Sequence, residues 1–297
     1  MILIVDKPAG ITSHKVVSAV RRACGVQRAG HTGTLDPICT GVLPVLTGHD
    51  TKLSDLFCSD KEYIATVLLG VRTDTQDITG AVLQRSPVDV SQERFVSALK
   101  SFEGDLSQTP PMYSAVKVAG RKLYELARSG IEIERKSRTV KIYETECLGL
   151  VGCNEYSIRV KCSRGTYIRT ICDELGARLG CGGTMTSLRR TRSNGFDLSQ
   201  AHPLDEIIQY AESGLLSGIC VGAEAAFADA GRCIVPSDGQ RYYLNGGLIA
   251  YNRLKPAELR VGTLVRAYSE GGAFLGLARC ADGGIKCIWQ NRSDTER

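Results

Sequence analysis

No stretch of this 297-residue chain approaches the ~20 consecutive apolar residues that a membrane-spanning helix requires. The apolar start, Ile2 to Val5, gives way at once to Asp6-Lys7-Pro8 and is too short for the core of a secretory signal. The expectation is a soluble, cytoplasmic protein with no membrane contact. Internal repeats and low-complexity tracts are missing as well. Twelve cysteines are present, yet no two are spaced Cys-x-x-Cys, so the close pairs that preorganise a tetrahedral zinc site are lacking. The thiols read instead as small hydrophobes in a reducing compartment, and Cys162 and Cys172 both fall on apolar faces. Neither a metal site nor a nucleotide cofactor is expected. Charge of one sign is also in short supply: Lys+Arg 37 against Asp+Glu 32 gives a net charge of +5, too little to name a nucleic-acid partner by itself. The excess concentrates in two stretches, Lys117 to Arg138 and Arg159 to Arg192.

The length is a prior for two domains, and a chain that is 43% hydrophobic and 23% charged is ordinary for a globular protein with a sizeable core. Ile2 to Val5 reads as a strand. Ser13 is placed to cap a helix carrying Val16, Val17, Val20 and Ala23 on one side. Tyr63 to Gly70 reads as a buried strand, and Ser91 to Phe102 as a helix with Phe95, Val96, Leu99 and Phe102 on one stripe, ended by Gly104. Tyr156 to Ser163 alternates: Tyr156, Ile158, Val160 and Cys162 on one face, Ser157, Arg159, Lys161 and Ser163 on the other. That is a half-buried strand with a basic outer face. A turn at Arg164-Gly165 then leads into a helix that Thr166 is placed to cap, with Ile168, Ile171, Cys172, Leu175 and Leu179 at helical spacing. From about Gly231 the turn signals become dense, which indicates a small, mostly β domain.

The most informative segment is Gly30 to Val45, Gly-His-Thr-Gly-Thr-Leu-Asp-Pro-Ile-Cys-Thr-Gly-Val-Leu-Pro-Val. Two glycine-flanked turns enclose a single carboxylate, Asp36, and so tightly punctuated a backbone holds a side chain in a defined place. Asp before Pro is also common turn chemistry. A second segment, Cys-Ser-Arg-Gly-Thr-Tyr-Ile-Arg-Thr at 162–170, places Arg169 in the first turn of a helix, where the macrodipole disfavours a cation. A third, Pro-Pro-Met-Tyr-Ser-Ala-Val-Lys at 110–117, opens a basic run with Tyr113 and Tyr124 interleaved.

These three strings, together with Val-Asp-Lys-Pro-Ala-Gly-Ile-Thr-Ser-His at the N-terminus, resemble the bacterial tRNA pseudouridine synthase B family. The matching stretches, 1–80, 104–130 and 156–192, cover over half of the chain. The resemblance implies an α+β catalytic domain of roughly residues 1–228 with a mixed, mainly antiparallel sheet. It further implies a basic RNA-clamping insertion at about 110–138 and a PUA-like β domain at 229–297. It implies conversion of uridine 55 in the tRNA T-loop to pseudouridine, a reaction that needs no cofactor because nothing is oxidised and no group is imported. A monomer without an obligate protein partner is the default expectation. Asp36 then matches the catalytic nucleophile, Arg169 the arginine that pairs with it through a two-pronged fork, and Tyr63 the tyrosine that stacks on the target base. Tyr167 matches a second active-site tyrosine, and Leu188 an apolar contact closing the pocket. Thr34 lies beside the nucleophile and shapes its turn. His31 matches a histidine that inserts into the RNA loop, while Lys117 and Arg121 belong to the run expected to meet phosphates. Cys39 replaces a usual alanine, and His49-Asp50 a smaller pair. Two rivals are a tRNA-folding chaperone that has lost its chemistry and a guide-dependent enzyme acting on ribosomal RNA. Intact Asp36, Tyr63 and Arg169 oppose the first. The lack of a long N-terminal extension opposes the second.

Overall fold

The structure, a computed structural model, describes the whole chain except residues 58–59, 115, 119, 132, 257–258 and 292–297, and for residues 117, 122, 125 and 128 it describes the backbone only. The chain opens with β1 (Ile2–Lys7) and turns into α1 (Ser13–Ala23), β2 (Ala29–His31), β3 (Thr40–Thr47) and β4 (Lys61–Leu69). A hairpin of β5 (Val71–Thr73) and β6 (Val82–Arg85) leads to α2 (Gln92–Lys100) and β7 (Gly104–Gln108). After Pro110-Pro111 come three short elements, β8 (Lys117–Val118), β9 (Arg121–Lys122) and α3 (Leu123–Arg128). The long strand β10 (Arg138–Gly152) is followed by β11 (Glu155–Cys162), α4 (Ile168–Leu179) and β12 (Gly183–Ser193). Short β13 (Phe196–Asp197), β14 (His202–Pro203), α5 (Leu204–Glu212) and α6 (Ala223–Ala226) complete this part. The remainder holds β15 (Gly231–Val235), α7 (Gln240–Leu244), β16 (Leu248–Ala250), β17 (Leu264–Ser269), β18 (Phe274–Ala281) and β19 (Gly284–Gln290).

Among the described residues, ten strands share one sheet in the order β14-β1-β3-β12-β4-β11-β10-β7, with β2 on β3 and β13 on β12. Pairing is antiparallel except at β1–β14 and β3–β12, so the expected mixed, mainly antiparallel sheet of an α+β fold is what forms. The alternation read in β11 is realised: Tyr156, Ile158, Val160 and Cys162 are buried and pack with Phe95, Leu99, Ile171, Cys172 and Leu175 of α2 and α4. Strand β1 is apolar on both faces for a different reason. Leu3 and Val5 pack with Val16, Val17 and Val20 of α1 and Ile207 of α5. Ile2 and Ile4 point the other way and pack with Leu277 and Trp289 of the C-terminal part. That part has its own sheet, ordered β15-β17-β18-β19-β16, so the β character expected beyond Gly231 holds. One apolar cluster therefore spans both parts. At roughly 1.5–3 kcal/mol per fully buried large apolar side chain, an upper estimate, it couples their stabilities.

Two helix starts differ from expectation. The N-cap of α1 is Thr12, whose hydroxyl accepts from Lys15 N at 3.1 Å. Ser13 is buried, and its hydroxyl instead donates to Leu35 O at 2.9 Å and accepts from Leu35 N at 2.8 Å. A buried hydroxyl needs partners, and here the partner is a loop twenty-two residues away in sequence. The N-cap of α4 is Tyr167, without a side-chain cap. Thr166 donates back to Ser163 O at 2.9 Å, and Tyr167 N is satisfied by Gln108 Oε1 at 2.7 Å. Helix α2 ends at Lys100 with Ser101 as its C-cap, three residues before Gly104, which opens β7 at φ +104°.

Candidate active site

Asp36 lies in the connection between β2 and β3, and two buried cations grip the backbone on either side of it. Lys7, with no exposed surface, donates from Nζ to Pro8 O at 2.9 Å, Pro37 O at 3.3 Å and Cys39 O at 2.6 Å. Arg190, equally buried, donates from Nε to Val42 O at 2.7 Å, from Nη2 to Gly33 O at 3.0 Å and from Nη1 to Thr34 O at 3.5 Å. Gly10 N to Pro37 O, at 2.8 Å, and the Ser13–Leu35 pair close the remaining freedom. A buried charge requires compensation, and here the loop carbonyls supply it. Gly41 permits the arrangement: at φ +102° it faces Arg190 across the parallel β3–β12 pair, and a Cβ there would meet Arg190 O at 2.2 Å.

The Asp36 carboxylate faces Arg169, with Nη2–Oδ2 at 3.1 Å. Arg169 is 5% exposed and Asp36 36%, so the cation is sealed while the carboxylate stays open to the cleft. The expected two-pronged bond to Asp36 does not form. Nη1 turns instead to a second carboxylate, Asp77 Oδ2, at 3.8 Å, and to Thr75 O at 3.4 Å, while Nη2 also donates to Tyr113 O at 2.6 Å. Asp77 is buried and fixed through Oδ1, which accepts from Thr75 Oγ1 and Thr79 N, each at 2.9 Å. Two carboxylates thus compensate a guanidinium placed where the helix dipole opposes it.

Burial holds the Asp36 carboxyl above its usual range, opposed by Arg169 and Lys7 and reinforced by Asp77. Tyr63 stands on β4 directly opposite Arg190 of β12, and burial pushes its hydroxyl up to about 12 despite the opposing guanidinium. The Cys39 thiol is pushed up to about 12, mainly by burial, and is a neutral filler. Lys61 is pushed down to about 8 by burial and next by Arg190.

These groups surround an open cleft of ≈ 320 Å³. Of the residues singled out in the sequence, Thr34, Asp36, Tyr63, Tyr167, Arg169 and Leu188 all line it. His31 does not. It ends β2, and burial lowers its pKa. Nδ1 accepts from Gly33 N at 3.2 Å, which puts the proton of the neutral ring on Nε2. Arg121 is exposed on the β8–β9 hairpin outside the lining, and the Lys117 side chain lies outside the described residues. Sequence reasoning missed Lys7, Lys61, Asp77 and Arg190, and counted Arg138 only in the basic run of the insertion. Arg138 reaches the cleft from the end of the insertion, donates from Nη2 to Gly165 O and lies 5.1 Å from the Tyr167 ring centre. The strand pattern of β12, with Leu188 and Arg190 two residues apart, was the available signal for Arg190.

Residues 21–168 match the sequence model of the TruB family pseudouridylate synthase N-terminal domain, and residues 169–227 that of the tRNA pseudouridylate synthase B C-terminal domain. Their border falls inside α4, so it is not a structural boundary. The tRNA pseudouridine synthase B of Aromatoleum aromaticum is 42% identical over 95% of this chain and 89% of the relative. That of Clostridium novyi is 41% identical over 96% and 97%. Among solved structures, a Cbf5-Nop10-Gar1 complex contains a chain similar to this one at 26% identity, with a TM-score of 0.72 over 99% of this chain and 84% of the other. With the fold, the cleft and this similarity in agreement, the chain belongs to the TruB family of pseudouridylate synthases.

Proposed function

We propose that this protein isomerises uridine to pseudouridine in tRNA, at the T-loop position conventionally numbered 55. The observation that carries the reading is the Asp36 carboxylate, open to the cleft and held 3.1 Å from a sealed arginine. In the reaction the N1–C1′ bond breaks, a C5–C1′ bond forms, C5 loses a proton and N1 gains one. Nothing is oxidised and no group is imported, so the chemistry calls for no cofactor. Asp36 serves it in one of three ways: by attack on C1′, by attack on C6, or by removing a sugar proton. Arg169 keeps the carboxylate ionised and oriented.

A T-loop base is stacked, and extruding it costs a few kcal/mol. Tyr63 and Leu188 receive the flipped base, with Tyr63 also as the proton-transfer group, and Tyr167 and Thr34 shape the sides. His31, at the end of β2, occupies the space the base leaves. Arg121 and Lys117, on the hairpin of the insertion, meet phosphates. Residues 1–228 form the catalytic domain and 229–297 a PUA-like domain that adds grip. The protein works as a cytoplasmic monomer without a guide RNA.

The test is site-resolved pseudouridine mapping on unmodified tRNA incubated with the purified protein alone. A single new pseudouridine at position 55 is expected. Binding without any pseudouridine would leave an RNA chaperone, and activity that needs an added guide RNA would move the protein to the ribosomal-RNA class.

A further inference from the structure

Arg190 has a second task besides gripping the loop. Its guanidinium donates to carbonyls on both sides of Asp36, and Arg190 pairs directly with Tyr63 across the antiparallel β12–β4 ladder, which puts the two side chains on the same face. One fully buried residue therefore joins both halves of the site: its fork binds the loop that carries the carboxylate, and its strand position pairs with the tyrosine. Two thiols, Cys162 from β11 and Cys39 from the loop, also act on the Tyr63 hydroxyl. Burial pushes these thiols to about 11 and about 12, so both are neutral. Arg190 is the charged group paired directly with Tyr63 across the strands, while Lys61, two residues earlier on β4, and Asp36 and Arg169 line the same cleft.

We infer that Arg190 is a positioning residue that sets the spacing of Asp36 and Tyr63 and stabilises the negative charge Tyr63 takes on when its hydroxyl proton is shared or given up. This rests on the reading of Tyr63 as the proton-transfer group. A phenol enclosed by apolar atoms resists ionisation, because burial disfavours its charged form. A guanidinium beside it compensates, and unlike an ammonium it keeps its charge when buried and still has donors left for the loop carbonyls. The arrangement resembles in logic the pair across the cleft, where Arg169 does the same for Asp36. The site then has two acidic groups, Asp36 beside Arg169 and Tyr63 beside Arg190, with Arg190 also holding the Asp36 loop.

The experiment replaces Tyr63 by a fluorinated tyrosine, which lowers the intrinsic pKa of the phenol and brings its titration into a range where the protein stays folded. The fluorine resonance is followed against pH in otherwise wild-type protein, in Arg190→Lys and in Arg190→Gln. In Arg190→Gln the phenol should titrate about 1–3 units higher, the scale of losing an adjacent opposite charge. Arg190→Lys should give a smaller rise. In protein with the natural Tyr63, Arg190→Lys should lower the single-turnover rate at saturating enzyme at least tenfold and change the tRNA Kd less than twofold. An unmoved titration in either folded variant would overturn the inference. Should neither variant fold, a crystal structure of the wild-type enzyme with a T-loop RNA decides: a guanidinium beyond hydrogen-bond reach of the Tyr63 hydroxyl rules the idea out. Failure of wild-type protein to form any pseudouridine would sink the proposed function instead, whatever the titration shows.

Discussion

The floor of the cleft and the insertion above it are built on opposite principles. On the floor, the backbone around Asp36 is pinned by Lys7, Arg190, Ser13 and Gly10, all from other elements, and every pin is buried or backbone. The insertion consists of elements two to six residues long. It is tied near its base by the Thr109–Ser137 hydroxyl pair at 2.8 Å, by Arg135 to Pro110 O at 3.3 Å and by Tyr113 O on Arg169. Chemistry on a base needs a carboxylate fixed to within a fraction of an ångström. The grip on RNA proposed for the insertion asks for charge and reach rather than such precision.

The largest expected effect comes from the floor. Asp36→Asn should abolish turnover and leave tRNA affinity largely unchanged, because the amide keeps the shape and is neither nucleophile nor base. A single-turnover rate even a tenth of wild type would disprove the role of Asp36. The same variant should be no less stable at neutral pH than wild type. A carboxyl whose folded pKa lies above its unfolded one opposes folding once pH exceeds the unfolded value, and that penalty disappears below it. Melting curves across acid and neutral pH check the sign. The wild-type rate should accordingly fall as pH drops through the elevated Asp36 pKa.

Next comes Arg169→Lys. A single ammonium cannot serve Asp36, Asp77, Tyr113 O and Thr75 O together, so a loss on the order of a hundredfold is expected, the scale of removing one preorganised electrostatic contact. Near-normal single-turnover rates would show that the divided fork is not needed.

Ending the chain at residue 228 tests a third region. All the proposed catalytic groups remain, and the rate of the bound complex should change little while apparent KM rises. The truncation also strips Leu277 and Trp289 from Ile2 and Ile4, so a lower Tm is expected beside the weaker binding. Equal affinity and salt dependence in the two forms would mean the C-terminal part does not hold tRNA. The smallest effect belongs to the hairpin. Arg121→Ala should weaken binding a few-fold, reduce the slope of log affinity against log salt by about one, and leave the limiting rate alone. A changed limiting rate would show the hairpin shapes the floor, and the contrast between the two regions would fail.

How much was readable in advance follows the same division. The alternation of β11 and the stripe of α2 and α4 were visible because a period of two or of 3.6 survives in local sequence. The turn-bounded Asp36 and the arginine opening α4 were visible as strings. Strand β10 was not read, since only Val140, Ile142 and Thr145 of its fifteen residues are buried and its outer positions carry Lys141, Glu144 and Glu146. The division of the Arg169 fork was hidden too. Asp77 sits in a hairpin ninety-two positions earlier, and nothing in its own neighbourhood marks a carboxylate aimed at a helix start.

By itself, the sequence determined β1, β4, β11 and the helices α1, α2 and α4, where one carboxylate is held in a tight turn, and which family the chain resembles. These are local properties, written in periodicity, turn chemistry and short strings. Only the tertiary structure decided that Lys7 and Arg190 serve the loop, that Ser13 turns from capping to bonding Leu35, and that Ile2 and Ile4 face the C-terminal sheet. Each of those depends on a partner that chain folding brings from far along the sequence. A buried polar or apolar group must be satisfied by whatever the fold places beside it, and no local pattern names that neighbour.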